Sequence, residues 1–166
     1  MASRTASSTQ PLRVLFVCTG NSARSVMAEA MLNRRGQGRV HAESAGSKPA
    51  ARVNQHAIAA LQRAGIDRAG AVPRGIDAVI NQEWDLVITV CDRARESCPL
   101  FPGAPVQAHW GMPDPTEVQG SEEETRQAFD QALALIGRRV DSLLAGEEPL
   151  DRRVLGQRAQ AIETSE

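Results

Sequence analysis

The chain has 166 residues and a mass of 17.8 kDa, with 42% hydrophobic and 23% charged residues. That is one domain's worth of sequence, and a domain near 150 residues buries roughly 68–70% of its unfolded surface, enough for a core without a metal or disulfide staple. Nineteen basic against twenty acidic residues leave a net charge of −1. No global basic field exists, and no nucleic-acid partner is expected. The longest apolar run, Val14 to Cys18, falls far short of the ~20 residues of a membrane helix. Met1 to Pro11 holds no apolar signal core. Three cysteines then argue against structural disulfides and point to catalytic, redox-active or metal-bound thiols in the cytoplasm, with no membrane partner.

Residues 1–11 read as a disordered leader, 12–146 as the folded domain and 147–166 as a polar C-terminal tail, frayed or loosely helical. Leu12 to Cys18 is apolar at nearly every position, as a strand buried on both faces must be. A helix over Ser25 to Arg35 follows, stopped by Gly36. Val40 to Ala45 predicts a second strand. The stripe Val53, Ala57, Leu61 and Ala64 predicts a helix over 53–64. Asp85 to Cys91 repeats the buried-strand pattern, and Ala104 to Trp110 supplies a fourth strand. From Ser121 to Ala145, Phe129, Leu133, Ile136, Val140 and Leu144 stack on one helical face. Ser121 and Glu124 form a capping box at its start, and Gly146 ends it. Glu122 to Glu124 are first-turn charge suited to the helix dipole.

Strands alternating with helices at this spacing predict an α/β fold, a single domain whose four-stranded parallel sheet is flanked by helices on both faces. Ligands of such sheets sit beyond the carboxyl ends of the strands, where the strand order reverses. The first and third strands end in Cys18 and Cys91.

Cys18-Thr19-Gly20-Asn21-Ser22-Ala23-Arg24-Ser25 lies between a buried strand and a helix. Cys-x5-Arg alone is a weak signal; the Gly-Asn-Ser turn in this context sharpens it. A loop entering a helix N-terminus turns backbone N–H groups inward, and the dipole adds positive potential. Such a cup takes a tetrahedral oxyanion, with Thr19 to Ser25 as binding residues and Arg24 as a planar fork. Gly20 and Asn21 are suited to left-handed backbone. The potential is expected to lower the Cys18 pKa from about 8.5 toward a dominant thiolate. Ser25 can donate a hydrogen bond to that sulfur.

The run F-V-C-T-G-N-S-A-R-S-x-M-A-E resembles the low-molecular-weight protein tyrosine phosphatases and the arsenate reductases built on the same fold, over about Leu12 to Leu144. The resemblance implies Cys18 as nucleophile and Arg24 as oxyanion clamp. Met112-Pro113-Asp114-Pro115 corresponds to the family's Asp-Pro acid, so Asp114 is expected to protonate the leaving oxygen. The prolines on either side push it to extended backbone.

Thr116 stands where tyrosine-specific members carry aromatic residues, and the chain contains no tyrosine, which counts against phosphotyrosine. Cys91-x6-Cys98, followed by His109-Trp110-Gly111, resembles the thioredoxin-linked arsenate reductases. The resemblance implies a relay: Cys18 attacks arsenate, Cys91 attacks Cys18 to form a transient Cys18–Cys91 disulfide, and Cys98 moves the oxidation to a Cys91–Cys98 bond. The electron donor is thioredoxin, or glutaredoxin with a low-molecular-weight thiol. Phosphate and sulfate would bind as inert mimics, and no bound cofactor is expected. Asp92 can cap a short helix over Arg93 to Glu96 that ends before Pro99; helical spacing would hold the two cysteines roughly 10 Å apart, so the last exchange requires unwinding.

Two other readings stay open. One is a low-molecular-weight phosphatase-like phosphomonoesterase in which Cys91 and Cys98 protect Cys18 from oxidation; the other is an oxyanion sensor. Ala23 stands where many of these reductases have a cysteine. Some members hold a potassium ion beside the loop. Asn21, Glu29 and Ser44 match its ligands, but Val72 and Arg74 fall where oxygens are expected. Arg74 can supply the charge instead, so no metal is expected. His41, His56 and His109 carry no assigned role.

Overall fold

The structure, a computed structural model, describes residues 10–146 and 149–165. Most of the leader, with residues 147, 148 and 166 of the tail, lies outside the described residues. Four strands, β1 (Leu12–Cys18), β2 (Val40–Gly46), β3 (Leu86–Thr89) and β4 (Val106–His109), pair in parallel in the order β2-β1-β3-β4. Five helices join or follow them: α1 (Arg24–Gly36), α2 (Gln55–Arg63), α3 (Asp92–Ser97), α4 (Glu122–Leu144) and α5 (Arg152–Ser165). The chain runs outward from β1 to β2 and then back across to β3. The order therefore reverses between β1 and β3, and Cys18 ends β1 at that crevice.

Val14, Leu15, Phe16 and Val17 have no exposure. Consecutive strand residues face opposite ways, so β1 is covered on both faces. Helix α1 packs on β1, β2 and α4 through Met27, Ala28, Ala30, Met31 and Leu32. Asn54 caps α2 by accepting from the His56 amide at 2.8 Å. The helix thus starts two residues later than the apolar stripe suggests, and Ala64 lies exposed past its end. The capping box of α4 forms, with the Glu124 amide donating to Ser121 Oγ at 3.1 Å. In the last turn Leu143 rather than Leu144 is fully buried.

Two expectations need correcting. Asp92 does not cap α3: Cys91 is the N-cap residue, and the Asp92 carboxylate turns to His109 Nε2 at 2.9 Å. The C-terminal segment is not frayed: α5 buries Val154, Leu155, Ala159 and Ile162 against β4, β3 and α4. Among its mostly polar residues, four apolar ones at helical spacing are enough to dock it.

Candidate active site

A cavity of about 500 Å³ opens at the carboxyl ends of β1 and β3. Its walls are the 18–24 loop, Cys91 to Arg93, and the 112–117 segment, which places Cys18, Arg24, Cys91 and Asp114 around one space. Cys98 does not line it; half-buried, it packs against the core at the far end of α3.

The loop owes its shape to a partner segment that the sequence did not single out. The amides of Ser47, Lys48, Ala50 and Asn54 donate to the carbonyls of Cys18, Thr19, Gly20 and Ser22 at 2.8–3.1 Å. In a trans peptide the next N–H points opposite to the carbonyl. Those bonds therefore turn the N–H groups of Thr19, Gly20, Asn21 and Ala23 to the other side, where the cavity lies. Only Asn21 of the loop adopts positive φ, at 50°; Gly20 does not need it. Gly46 is fixed by the same crossing, because a Cβ there would lie 2.5 Å from the Thr19 carbonyl oxygen.

Cys18 is buried, with Ser25 Oγ at 2.8 Å from its sulfur and the Asn21 amide donating to it at 3.1 Å. Its pKa runs against the expectation from the loop. Burial pushes the thiol up, and the Ser25 hydroxyl and the Asn21 and Ser25 amides pull it back only in part. The proximity of Cys91 adds to the rise. Cys91 Sγ lies 3.4 Å from Thr19 Oγ1. Burial also raises Cys98.

Arg24 reaches across the mouth, donating to the Met112 carbonyl at 3.1 Å and to Asp114 Oδ2 at 3.3 Å. The other Asp114 oxygen accepts from the Thr116 amide at 2.9 Å and its hydroxyl at 2.7 Å. Both oxygens of the carboxylate are thus held. Ser25 and Asn21 stand behind the cavity wall; Asn21 Nδ2 donates to Ser25 Oγ at 2.8 Å and to Ser44 Oγ at 2.9 Å.

Beneath the loop, the residues do not fit a potassium ion. The Arg74 guanidinium lies 2.9 Å from Glu43 Oε1 and 3.9 Å from Glu29 Oε1, and reaches the Ser44 carbonyl at 3.4 Å. Its amide donates to Asn21 Oδ1 at 2.8 Å, and Arg68 holds the other Glu29 oxygen at 3.0 Å. The oxygens a cation would need already serve guanidinium and amide donors. Val72 is 71% exposed and contributes only a hydrocarbon side chain. Burial raises the Glu29 pKa despite Arg68 and Arg74. At Glu43 burial pushes up as well, but hydrogen bonds from Arg74, His41 and Arg13 outweigh it and hold the carboxyl low.

His109 bridges Thr89 Oγ1 at 2.7 Å and Asp92 at 2.9 Å, tying the start of α3 to β3 and β4. Nothing in its spacing announced that role. His41 pairs with Glu43 at 3.0 Å and His56 with Glu122 at 3.7 Å, both away from the cavity. No group of three or more metal-binding side chains occurs among the described residues. No helix among them is long and apolar enough to cross a membrane.

An arsenate reductase from Bacillus licheniformis is 38% identical over 127 residues, which span 76% of this chain and 91% of that protein. The solved arsenate reductase of Archaeoglobus fulgidus superposes with a TM-score of 0.63 at 37% identity, covering 78% of this chain and 97% of that one. A thioredoxin-dependent arsenate reductase from Corynebacterium glutamicum matches with a TM-score of 0.54 at 26% identity, over 79% of this chain and 62% of its own. The family described as low molecular weight phosphotyrosine protein phosphatase matches residues 13–155. With that match spanning its sheet and its Cys18–Arg24 loop, the chain belongs to the low-molecular-weight phosphotyrosine phosphatase family.

Proposed function

We propose that this protein is an arsenate reductase that reduces arsenate to arsenite through Cys18, Cys91 and Cys98 in sequence. The observation that carries the reading is the second sulfur: Cys91 lines the same cavity as Cys18, at the carboxyl end of the adjacent strand. A phosphatase would use a thiol there only to shield Cys18 from oxidation, whereas reduction of an arsenic–sulfur adduct needs one in the reaction itself. The relatives from Bacillus and Archaeoglobus carry the same activity in their names.

The chemistry follows from the positions. Arsenate enters as the dianion; Arg24 exchanges its bonds to Met112 and Asp114 for two arsenate oxygens, and the inward amides take others. Cys18 begins as a thiol, and its proton passes to the dianion as the anion settles. The sulfur attacks arsenic: an S–As bond forms, an As–O bond breaks, and the oxygen departs as water with a proton that Asp114 takes up from solvent once Arg24 has turned to the anion and then passes on. Cys91 then gives up its proton to solvent and attacks Cys18 Sγ. An S–S bond forms, the S–As bond breaks, and its electron pair stays on arsenic, which falls from As(V) to As(III) and leaves as arsenite. Cys98 attacks Cys91, freeing Cys18 and leaving the Cys91–Cys98 disulfide. An external dithiol, thioredoxin by the precedent of the Corynebacterium relative or glutaredoxin with a small thiol, restores the pair. No bound cofactor takes part. The cycle requires a reducing compartment, which suits the cytoplasm.

The test is arsenate-dependent NADPH oxidation coupled through thioredoxin and its reductase. Cys18→Ser, Cys91→Ser and Cys98→Ser should each abolish turnover. Full activity in either of the last two would overturn the relay. Turnover of an aryl phosphate without arsenate reduction would favour the phosphatase.

A further inference from the structure

Helix α5 is where the chain departs from its family: the match ends at Leu155, within the helix's first four residues. Yet α5 is bound to the sheet along its length. Arg152 donates to the carbonyls of Gly103 and Ala104 at 2.8 and 3.3 Å, just before β4. Gln160 donates to the Gln107 carbonyl at 3.1 Å on β4 itself, the edge strand. Leu155 and Ala159 have no exposure, and a Cβ on Gly156 would come within 2.8 Å of Val106.

One tie reaches further. The Trp110 indole N–H donates to the Ala159 carbonyl at 3.0 Å. Trp110 is 2% exposed, its ring centroid lies 6.0 Å from that of Phe16, and its amide continues the sheet by bonding the Thr89 carbonyl at 2.8 Å. It is the last residue whose amide joins the sheet before the acid segment. Two residues on, the Met112 carbonyl meets Arg24; four residues on is Asp114. Past the acid, Thr116 holds the carboxylate from the other side. The segment thus runs from Trp110 to Thr116 with Arg24 bonded to it in between, and α5 secures its start.

We propose that α5 is a positioning element for the acid: through the Trp110–Ala159 bond it sets the backbone from which Asp114 and the Met112 carbonyl reach the cavity. The inference rests on the reading of Asp114 as the general acid. Proton transfer depends on placement within hydrogen-bond reach, so a loosened start slows the step that uses the acid while oxyanion binding, set by the 18–24 loop, stays as it was.

Trp110→Phe removes the donor and keeps a ring against Phe16. Losing one such bond corresponds to up to about tenfold, so kcat for arsenate should fall by about that factor, with KM and inhibition by phosphate unchanged. In an Asp114→Asn background the same substitution should cost nothing more, since the group it positions is gone. Gly156→Ala, which presses α5 off Val106, should reproduce both results and guards against an unfolded Trp110 variant. Equal losses with and without Asp114, or a rise in KM alone, would mean that α5 only stabilises the fold and would overturn the inference. Full activity of Asp114→Asn would instead remove the acid reading itself, a distinct failure.

Discussion

Arg24 and Asp114 are joined at 3.3 Å across the mouth of the cavity. On the reading proposed above, the clamp and the acid hold one another until a ligand competes for the guanidinium. Arg24 is only 14% exposed at its side chain and Asp114 24%, so the pair is partly shielded from water. An oxyanion that takes both guanidinium nitrogens frees the carboxyl to turn toward the leaving oxygen.

Substituting Arg24→Lys keeps the charge but loses the planar fork. Phosphate, measured by calorimetry as a non-reducible mimic, should bind about 10–100-fold more weakly, the worth of one charge-assisted hydrogen bond. Unchanged affinity would show that the loop amides alone hold the anion.

Cys18 should alkylate with iodoacetamide along a pH curve whose midpoint lies above that of an ordinary cysteine, because burial favours the neutral thiol. Ser25 lowers the value through its hydrogen bond, so Ser25→Ala should move the midpoint higher still. The sign for stability follows. With the folded value above the unfolded one, stability from the thiol is present below the ordinary value of 9.0 and is lost as pH rises through the folded value. Cys18→Ser should flatten that alkaline loss. A midpoint below the ordinary thiol value, from mass-resolved alkylation, would contradict the assigned burial effect.

Arg74→Ala removes the guanidinium shared by Glu29, Glu43 and the Ser44 carbonyl. Arg74 is 39% exposed, so the loss should be about 1–3 kcal/mol, below the cost of breaking a fully buried pair. The vacated oxygens could then accept a cation. Thermal melts of the variant should rise more with potassium chloride than with choline chloride at equal ionic strength, while the parent shows no preference. A variant as indifferent as the parent would mean that neighbouring groups close over the gap.

Cys91 and Cys98 flank α3, and helical rise over seven residues sets them roughly 10 Å apart, beyond the reach of a disulfide. Forming the bond must unwind α3, whose first residue is tied to His109 at 2.9 Å. Amide exchange over residues 91–98 should therefore differ sharply between the oxidised and reduced protein. Equal protection in the two forms would exclude the unwinding.

Much of this was legible in the sequence. Leu12 to Cys18 announces a doubly buried strand by hydrophobic continuity, and the observed bounds of β1 agree. Ser121 and Glu124 announce a cap by spacing, and the box forms. What stayed hidden were relationships between distant residues. Gly46 needs its missing side chain only because Thr19 passes over it. His109 gains its place from Thr89 and Asp92, which lie on other elements. The Cys18 pKa went astray because a loop's local charge pattern is readable from sequence, while the depth of its burial is not. The tail reads from its sequence as frayed or loosely helical, and the docking of α5 was missed for a related reason: its polar composition masks four apolar residues that matter only once β4 and α4 receive them.

The carbonyls of Cys18, Thr19, Gly20 and Ser22 are stitched to amides between Ser47 and Asn54. The 18–24 loop is thus half of a clasp whose other half does not line the cavity. A protease that nicked the chain inside that second half would leave every thiol and the arginine intact, yet unlatch the loop that carries Cys18 and Arg24; on the reading proposed above, that disarms the protein.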